Sequence, residues 1–191
     1  MNKRVFIIHG WDGHPDEDWF PWLKKESESW GFESYVPQLP QPENPRIHNW
    51  IPQLTRSVGK VDENTYFVGH SMGCQAIVRY IETLPEKTKV GGAIFVAGFF
   101  KNLTLSNDED KEVAKEWLET PISFEKVKSH LQKSVAIFSD NDSWVPLENQ
   151  DDFKDKLNSE IIIEHNMGHF SGNSGTKKLP IVLDKLLALS I

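Results

Sequence analysis

Three residue types that together can cleave acyl bonds stand at telling places in this sequence. A serine lies between glycines in Gly69-His70-Ser71-Met72-Gly73, two acids follow at Asp140 and Asp142, and two histidines, His165 and His169, lie near the C-terminus. A serine hydroxyl is a weak nucleophile until a base accepts its proton, and that base needs a third group to orient it. Of the seven histidines, His169 is preferred as the base. It falls in a glycine-containing loop just after the last apolar run, where an imidazole can reach Ser71. His165 sits nearer the end of that run and is expected to satisfy backbone groups. His70 adjoins the serine, but neighbours on a sharp corner point apart. His9 is expected to shape the first loop, and His14, His48 and His130 to lie at the surface or in packing. For the orienting acid Asp142 is favoured over Asp140, because it precedes Ser143-Trp144-Val145-Pro146 in the loop proper. The order Ser71, Asp142, His169 is that of nucleophile-elbow hydrolases.

These side chains must be held by elements, and the serine's own element is the most legible. Thr65-Tyr66-Phe67-Val68 is an apolar strand pattern, and after Gly73 the residues Ile77, Val78 and Ile81 can share a helical face. A strand, a tight turn and a helix result, with Ser71 at the apex. Gly69 and Gly73, lacking Cβ, let strand and helix pass closely. The Met72 N–H opens the helix without a partner in it and points where an oxyanion would form. A second N–H is expected from the loop after the first strand, at Trp11 behind His9-Gly10. Gly-x-Ser-x-Gly alone arises by chance in roughly 0.06 of chains this long, so its strand-to-helix setting carries the weight.

The other elements follow in order. Val5-Phe6-Ile7-Ile8 is continuously apolar, as a strand buried on both faces should be. Trp19 to Trp30 predicts a helix with Trp19, Trp22, Leu23 and Trp30 buried and Gly31 as its stop. A short strand around Ser34-Tyr35-Val36 leads to a proline-rich loop from Pro37 to Pro45. Helical spacing resumes from Ile47 to Val58. Beyond the serine element, Gly91 to Gly98 predicts a strand, Asp108 to Leu118 an acidic helix and Phe124 to Leu131 a short helix. Val135 to Phe138 and Ile161 to Ile163 predict strands five and six, with a helix from Leu147 to Leu157 between them and a last helix from Leu179 to Leu189. Alternating strands and helices without repeats or linkers predict one α/β domain over residues 1–191. The expected architecture is a three-layer α/β/α sandwich around a mostly parallel six-stranded sheet. Ligands of such sheets bind beyond the carboxyl ends of the strands.

Composition narrows the function classes. With 191 residues, a net charge of -7 and no basic stripe, nucleic acid is not an expected partner. No apolar run is long enough to span a bilayer, and the N-terminal run is too short for a signal peptide. One cysteine, Cys74, allows no internal disulfide and no zinc cluster. A cytoplasmic location is the resulting expectation, with no protein partner indicated. The first loop lacks phosphate-binding glycine patterns. His165 and His169, separated by Gly168, do not share the helical face a metal pair would need.

Taken together, His9-Gly10-Trp11, Trp19-Phe20-Pro21-Trp22-Leu23, Gly69-His70-Ser71-Met72-Gly73-Cys74, Asp142-Ser143-Trp144-Val145-Pro146 and Gly168-His169-Phe170 resemble the small serine hydrolases of the retinoblastoma-binding-protein-nine type, most of all the bacterial YdeN-like members. The resemblance spans nearly the whole chain. It implies a minimal α/β-hydrolase fold with little or no lid, and the triad Ser71, Asp142 and His169. The expected chemistry is hydrolysis of a small-molecule carboxylic ester or activated amide through an acyl-enzyme, with no cofactor; the alternatives are a peptidase or thioesterase using the same triad, or a protein-interaction module on a hydrolase scaffold with little turnover. Met72 and Trp11 supply the oxyanion donors. Trp11, Phe99, Phe100, Trp144 and Phe170 follow strand ends and are expected to line an apolar pocket, while residues 99–120 are the segment from which a partial lid could come.

Overall fold

A computed structural model describes residues 2–191; Met1, with which the expected domain begins, lies outside the described residues. Six strands form one sheet: β1 (Arg4–Ile8), β2 (Glu33–Tyr35), β3 (Thr65–His70), β4 (Gly92–Val96), β5 (Ser134–Ser139) and β6 (Glu160–Glu164). Their order is β2-β1-β3-β4-β5-β6, and every neighbouring pair is parallel. Parallel strands need crossovers, and helices supply them.

Alternation along the central strands divides the core in two. Phe6, Ile8, Phe67, Phe95 and Phe138 face one side; Val5, Ile7, Val68, Ile94 and Ile137 face the other. The first side is covered by α2 (Ile47–Val58), α3 (Met72–Glu82), α4 (Asp108–Glu119), α5 (Phe124–His130) and α6 (Asn149–Leu157), the second by α1 (Phe20–Ser29) and α7 (Pro180–Leu189). The three layers and the sheet agree with the sequence expectation.

The chain winds from β1 outward to β2, then returns to place β3 on the other flank of β1. That reversal opens a crevice beyond the carboxyl ends of β1 and β3, where α/β sheets bind their ligands. The loop after β1 and the corner after β3 therefore face each other by topology alone.

α4 is tied to the serine helix by two polar side chains of α3. Gln75 Nε2 donates to the Trp117 carbonyl at 3.1 Å, and Arg79 Nη2 donates to the carbonyls of Trp117 at 2.8 Å and Thr120 at 2.9 Å. Burial draws the Arg79 guanidinium down to about 10, and with those carbonyls it satisfies the last turn of α4.

One packing expectation fails. Trp30 is 63 % exposed, whereas Trp19, Leu23 and Ser27 form the buried stripe of α1 and its entry. Helical spacing would put Trp30 on that stripe, but it is the C-cap, past the last helical residue, and the chain turns away through Gly31, with a φ of 86°.

Candidate active site

Ser71 occupies the corner between β3 and α3 in a left-handed conformation, with φ 53° and ψ -122°. A non-glycine residue persists there only where its surroundings force it. Its N–H donates to the Val96 carbonyl at 2.8 Å, and its own carbonyl accepts from Cys74 N at 3.0 Å. The two glycines of the motif have different neighbours. A Cβ on Gly69 would lie 2.8 Å from Ile77 Cδ1 and 2.9 Å from Cys74 Cα, so Gly69 admits the outgoing helix. A Cβ on Gly73 would collide with the carbonyls of Ile8 and His9. Gly73 therefore seats the helix against the end of β1 rather than against its own strand. Cys74 is buried, and burial pushes its thiol up.

The two acids and two histidines resolve into two pairs. His169 Nδ1 lies 2.8 Å from Asp142 Oδ2, and His165 Nδ1 lies 2.6 Å from Asp140 Oδ2. Their environments differ. The Asp142 side chain is 3 % exposed and that of His169 16 %, against 78 % for His165. Asp142 Oδ1 also accepts from the N–H groups of Trp144 at 2.8 Å and Val145 at 3.0 Å, so both carboxylate oxygens have partners. Ser71 and His169 line one cavity of about 620 Å³, and His165 and Asp140 do not reach it. Among the described residues the Ser71 hydroxyl makes no hydrogen bond to His169. Such bonds are commonly long in ligand-free sites and tighten when substrate binds.

The loop bearing His169 is fixed at nearly every residue. Asp140 Oδ1 accepts from Asn166 N at 2.9 Å, Ser139 Oγ from Met167 N at 3.0 Å, and Asn141 Oδ1 from Gly168 N at 2.8 Å. Trp19 Nε1 donates to the Phe170 carbonyl at 3.0 Å, and Asp18 Oδ1 accepts from Gly172 N. His70 Nε2 lies 2.7 Å from the His169 carbonyl. A carbonyl only accepts, so the ring carries its proton on Nε2. Burial draws this imidazole down to about 3, which keeps it neutral.

The Met72 N–H heads α3, and that of Trp11 lies in the loop after β1; neither finds an acceptor among the described residues. Gly10 passes so close to the corner that a Cβ there would lie 2.9 Å from Ser71 Cβ. Of the expected pocket residues, Trp11, Phe99 and Trp144 line the cavity. Phe100 does not: its ring packs tilted against Phe153 at 4.4 Å between centroids and edge-on to Phe124 at 5.1 Å, inside the core. Phe170, with φ 53°, turns its ring into the opposite core and is fully buried. Following a strand end does not decide which way a side chain leaves it. From residues 99–120, Phe99, Leu103 and Asp110 contribute to the wall.

The charged part of that wall, which includes Asp12, Glu17, Asp18, Asp110 and Lys177, is marked by no catalytic or binding motif in the sequence. The carboxyls of Asp12 and Asp18 are raised, in both cases chiefly by burial, with Glu43 the next cause at Asp12. The acid-rich stretch from Asp12 to Asp18 was the available signal. Among the described residues no three His, Cys, Asp or Glu side chains converge to hold a metal ion.

Fold and sequence together define the class: the family model described as serine hydrolase matches residues 5–188, and the chain belongs to that family. Over 97 % of its length it is 33 % identical to YdeN of Bacillus subtilis (strain 168), covering 95 % of that protein. The crystal structure of the ydeN gene product superposes with a TM-score of 0.90 at 32 % identity, with 98 % of each chain covered. The serine hydrolase RBBP9 of Rattus norvegicus is 26 % identical over 88 % of this chain and 86 % of its own. A carboxylesterase structure from the thaumarchaeon Nitrososphaera gargenis shares the fold, with a TM-score of 0.72 at 14 % identity over 99 % of this chain and 91 % of that one. No helix among the described residues is long and apolar enough to cross a membrane.

Proposed function

We propose that this serine hydrolase cleaves small-molecule carboxylic esters, or activated amides, through an acyl-enzyme on Ser71. The observation that carries this reading is the buried Asp142–His169 pair at 2.8 Å, opening onto the same cavity as the strained serine. His169 Nε2 takes the Ser71 proton as Oγ attacks the carbonyl carbon, and Asp142 fixes the imidazole with its proton on Nδ1. Charge developing on the carbonyl oxygen falls to the N–H groups of Met72 and Trp11. The tetrahedral intermediate collapses when the bond to the leaving group breaks, and His169 returns the proton to that group. Water, deprotonated by His169, then attacks the acyl carbon; the acyl–Oγ bond breaks as His169 returns that proton to Ser71 Oγ, and the acid is released. Trp144, 48 % exposed at the rim, and Phe99 offer an apolar surface to the acyl or leaving group. The carboxylesterase with the same fold agrees with ester chemistry.

A panel of p-nitrophenyl esters, acyl thioesters and aminoacyl amides tests this, with Ser71→Ala as the blank. The wild type is expected to turn over at least one oxyester, and Ser71→Ala to lose that activity by about 10⁶ in kcat. Equal turnover by both proteins overturns the assignment.

A further inference from the structure

We propose that His9 is a positioning residue, holding the Gly10–Trp11 peptide so that the Trp11 N–H stays aimed at the oxyanion position beside Ser71. This rests on the reading of Trp11 as an oxyanion donor.

The tautomer of His9 follows from its partners. Leu39 N lies 3.0 Å from His9 Nε2. An amide N–H can only donate, so Nε2 presents a lone pair and the ring proton is on Nδ1. The Gln38 side-chain amide, 3.4 Å from the same nitrogen, is a second donor facing it. Nδ1 lies 2.8 Å from the Gly10 carbonyl oxygen, to which it therefore donates. His9 is fully buried, and burial lowers its basicity. A neutral ring is what this pattern requires, since a proton on Nε2 would face the Leu39 N–H.

The Gly10 carbonyl is thus pinned from one side by His9. Gly13 N, at 3.2 Å, pins it again and closes a turn through Asp12, which has φ 54°. Across a trans peptide the C=O and the next N–H point in opposite directions. Fixing the Gly10 oxygen toward His9 therefore fixes the Trp11 N–H away from it. That N–H has no protein acceptor among the described residues, and the Gly10 backbone abuts Ser71. A peptide flip would turn the Gly10 carbonyl toward the developing oxyanion, replacing attraction with repulsion. The His9 side chain also links this turn to the loop at Leu39, and its ring meets Trp50 edge-on with centroids 5.6 Å apart, so the anchor is itself held in place.

Two substitutions separate the ring nitrogens. His9→Asn keeps an amide donor near the place of Nδ1 but nothing for Leu39. His9→Gln keeps an acceptor near the place of Nε2 but nothing for Gly10. With the best ester from the panel, His9→Gln is expected to lose about 10² in kcat with KM within about threefold, because an oxyanion contact is made in the transition state. His9→Asn is expected to retain kcat to within about tenfold. Equal losses in both, or a His9→Gln enzyme with wild-type kcat, overturn the proposal. Imidazole ¹⁵N shifts of the wild-type protein at pH 7 test the same point without substitution. They are expected to show His9 protonated on Nδ1 and bare on Nε2, and the opposite tautomer overturns the proposal. A wild type with the expected tautomer but no turnover of any ester contradicts the hydrolase reading, not the hold of His9 on the peptide.

Discussion

The side chain of His70 reaches the main chain of His169, its Nε2 donating to that carbonyl over 2.7 Å, and the two rings lie 4.9 Å apart. The residue before the serine thus grips the residue proposed as its base, and strand β3 ends in a brace for that base one position before the proposed nucleophile. Trp19 packs edge-on to His70 and donates to the next carbonyl along, that of Phe170. These contacts join α1, β3 and the loop after β6 at one point.

His70 makes stability depend on pH. Its pKa is about 3 in the folded protein, against 6.5 for the free side chain. Between those values the unfolded chain binds the proton and the folded chain does not, so stability rises with pH across that window. Urea midpoints measured at pH 4.5 and pH 7 are expected to differ more for wild type than for His70→Gln, which keeps a donor for the His169 carbonyl but does not titrate. Equal differences contradict this.

The two acid–histidine pairs should separate in kinetics. Asp142→Asn is expected to lower kcat by up to about 10⁴, as loss of the orienting carboxylate does in such sites. His169→Ala should do the same, whereas Asp140→Asn and His165→Ala keep most of the activity. Asp140 does support the loop through Asn166 N, so a loss below about tenfold fits there. Comparable losses in the two pairs contradict the assignment.

What the sequence made legible follows from how far its signals reach. The four central strands β1, β3, β4 and β5 are built on contiguous buried runs, and a buried parallel strand needs little else to be seen, whereas edge strand β2 is only Glu33-Ser34-Tyr35. The corner at Ser71 is a local pattern too, which is why β3, Ser71 and α3 stand where expected. Orientation is a tertiary matter. Phe99 and Phe100 are adjacent after the same strand, yet one lines the cavity and the other packs on Phe153. The roles of His9 and His70 depend on carbonyls at Gly10 and His169, and no spacing rule pairs position 70 with position 169. The wall acids Asp12 and Asp18 lie in a stretch whose facing partners, Asp110 and Gly172, come from distant parts of the chain.

Gly73→Ala tests the seating of the serine helix. The added methyl would meet the carbonyls of Ile8 and His9, both backbone atoms with little room to move. A loss of about 3 kcal/mol is expected, the upper end for overpacking. Urea denaturation measures it, and wild-type stability in this variant contradicts the close approach.

Trp144 tests the rim. Its ring is 48 % exposed, so Trp144→Ala should shift the melting temperature little. If the ring meets substrate, KM for aryl or long-chain esters should rise by about tenfold, roughly 1.4 kcal/mol of lost contact, with short acetyl esters little affected. Uniform KM values across the series contradict this.

The most direct measurement is covalent. Wild type and Ser71→Ala are treated with a fluorophosphonate at neutral pH, and the adduct is located by peptide mass spectrometry. One adduct on Ser71 in the wild type, absent from Ser71→Ala, is the predicted result. A wild type that takes no label, or a Ser71→Ala protein labelled to the same extent, contradicts the serine nucleophile on which the proposed chemistry depends.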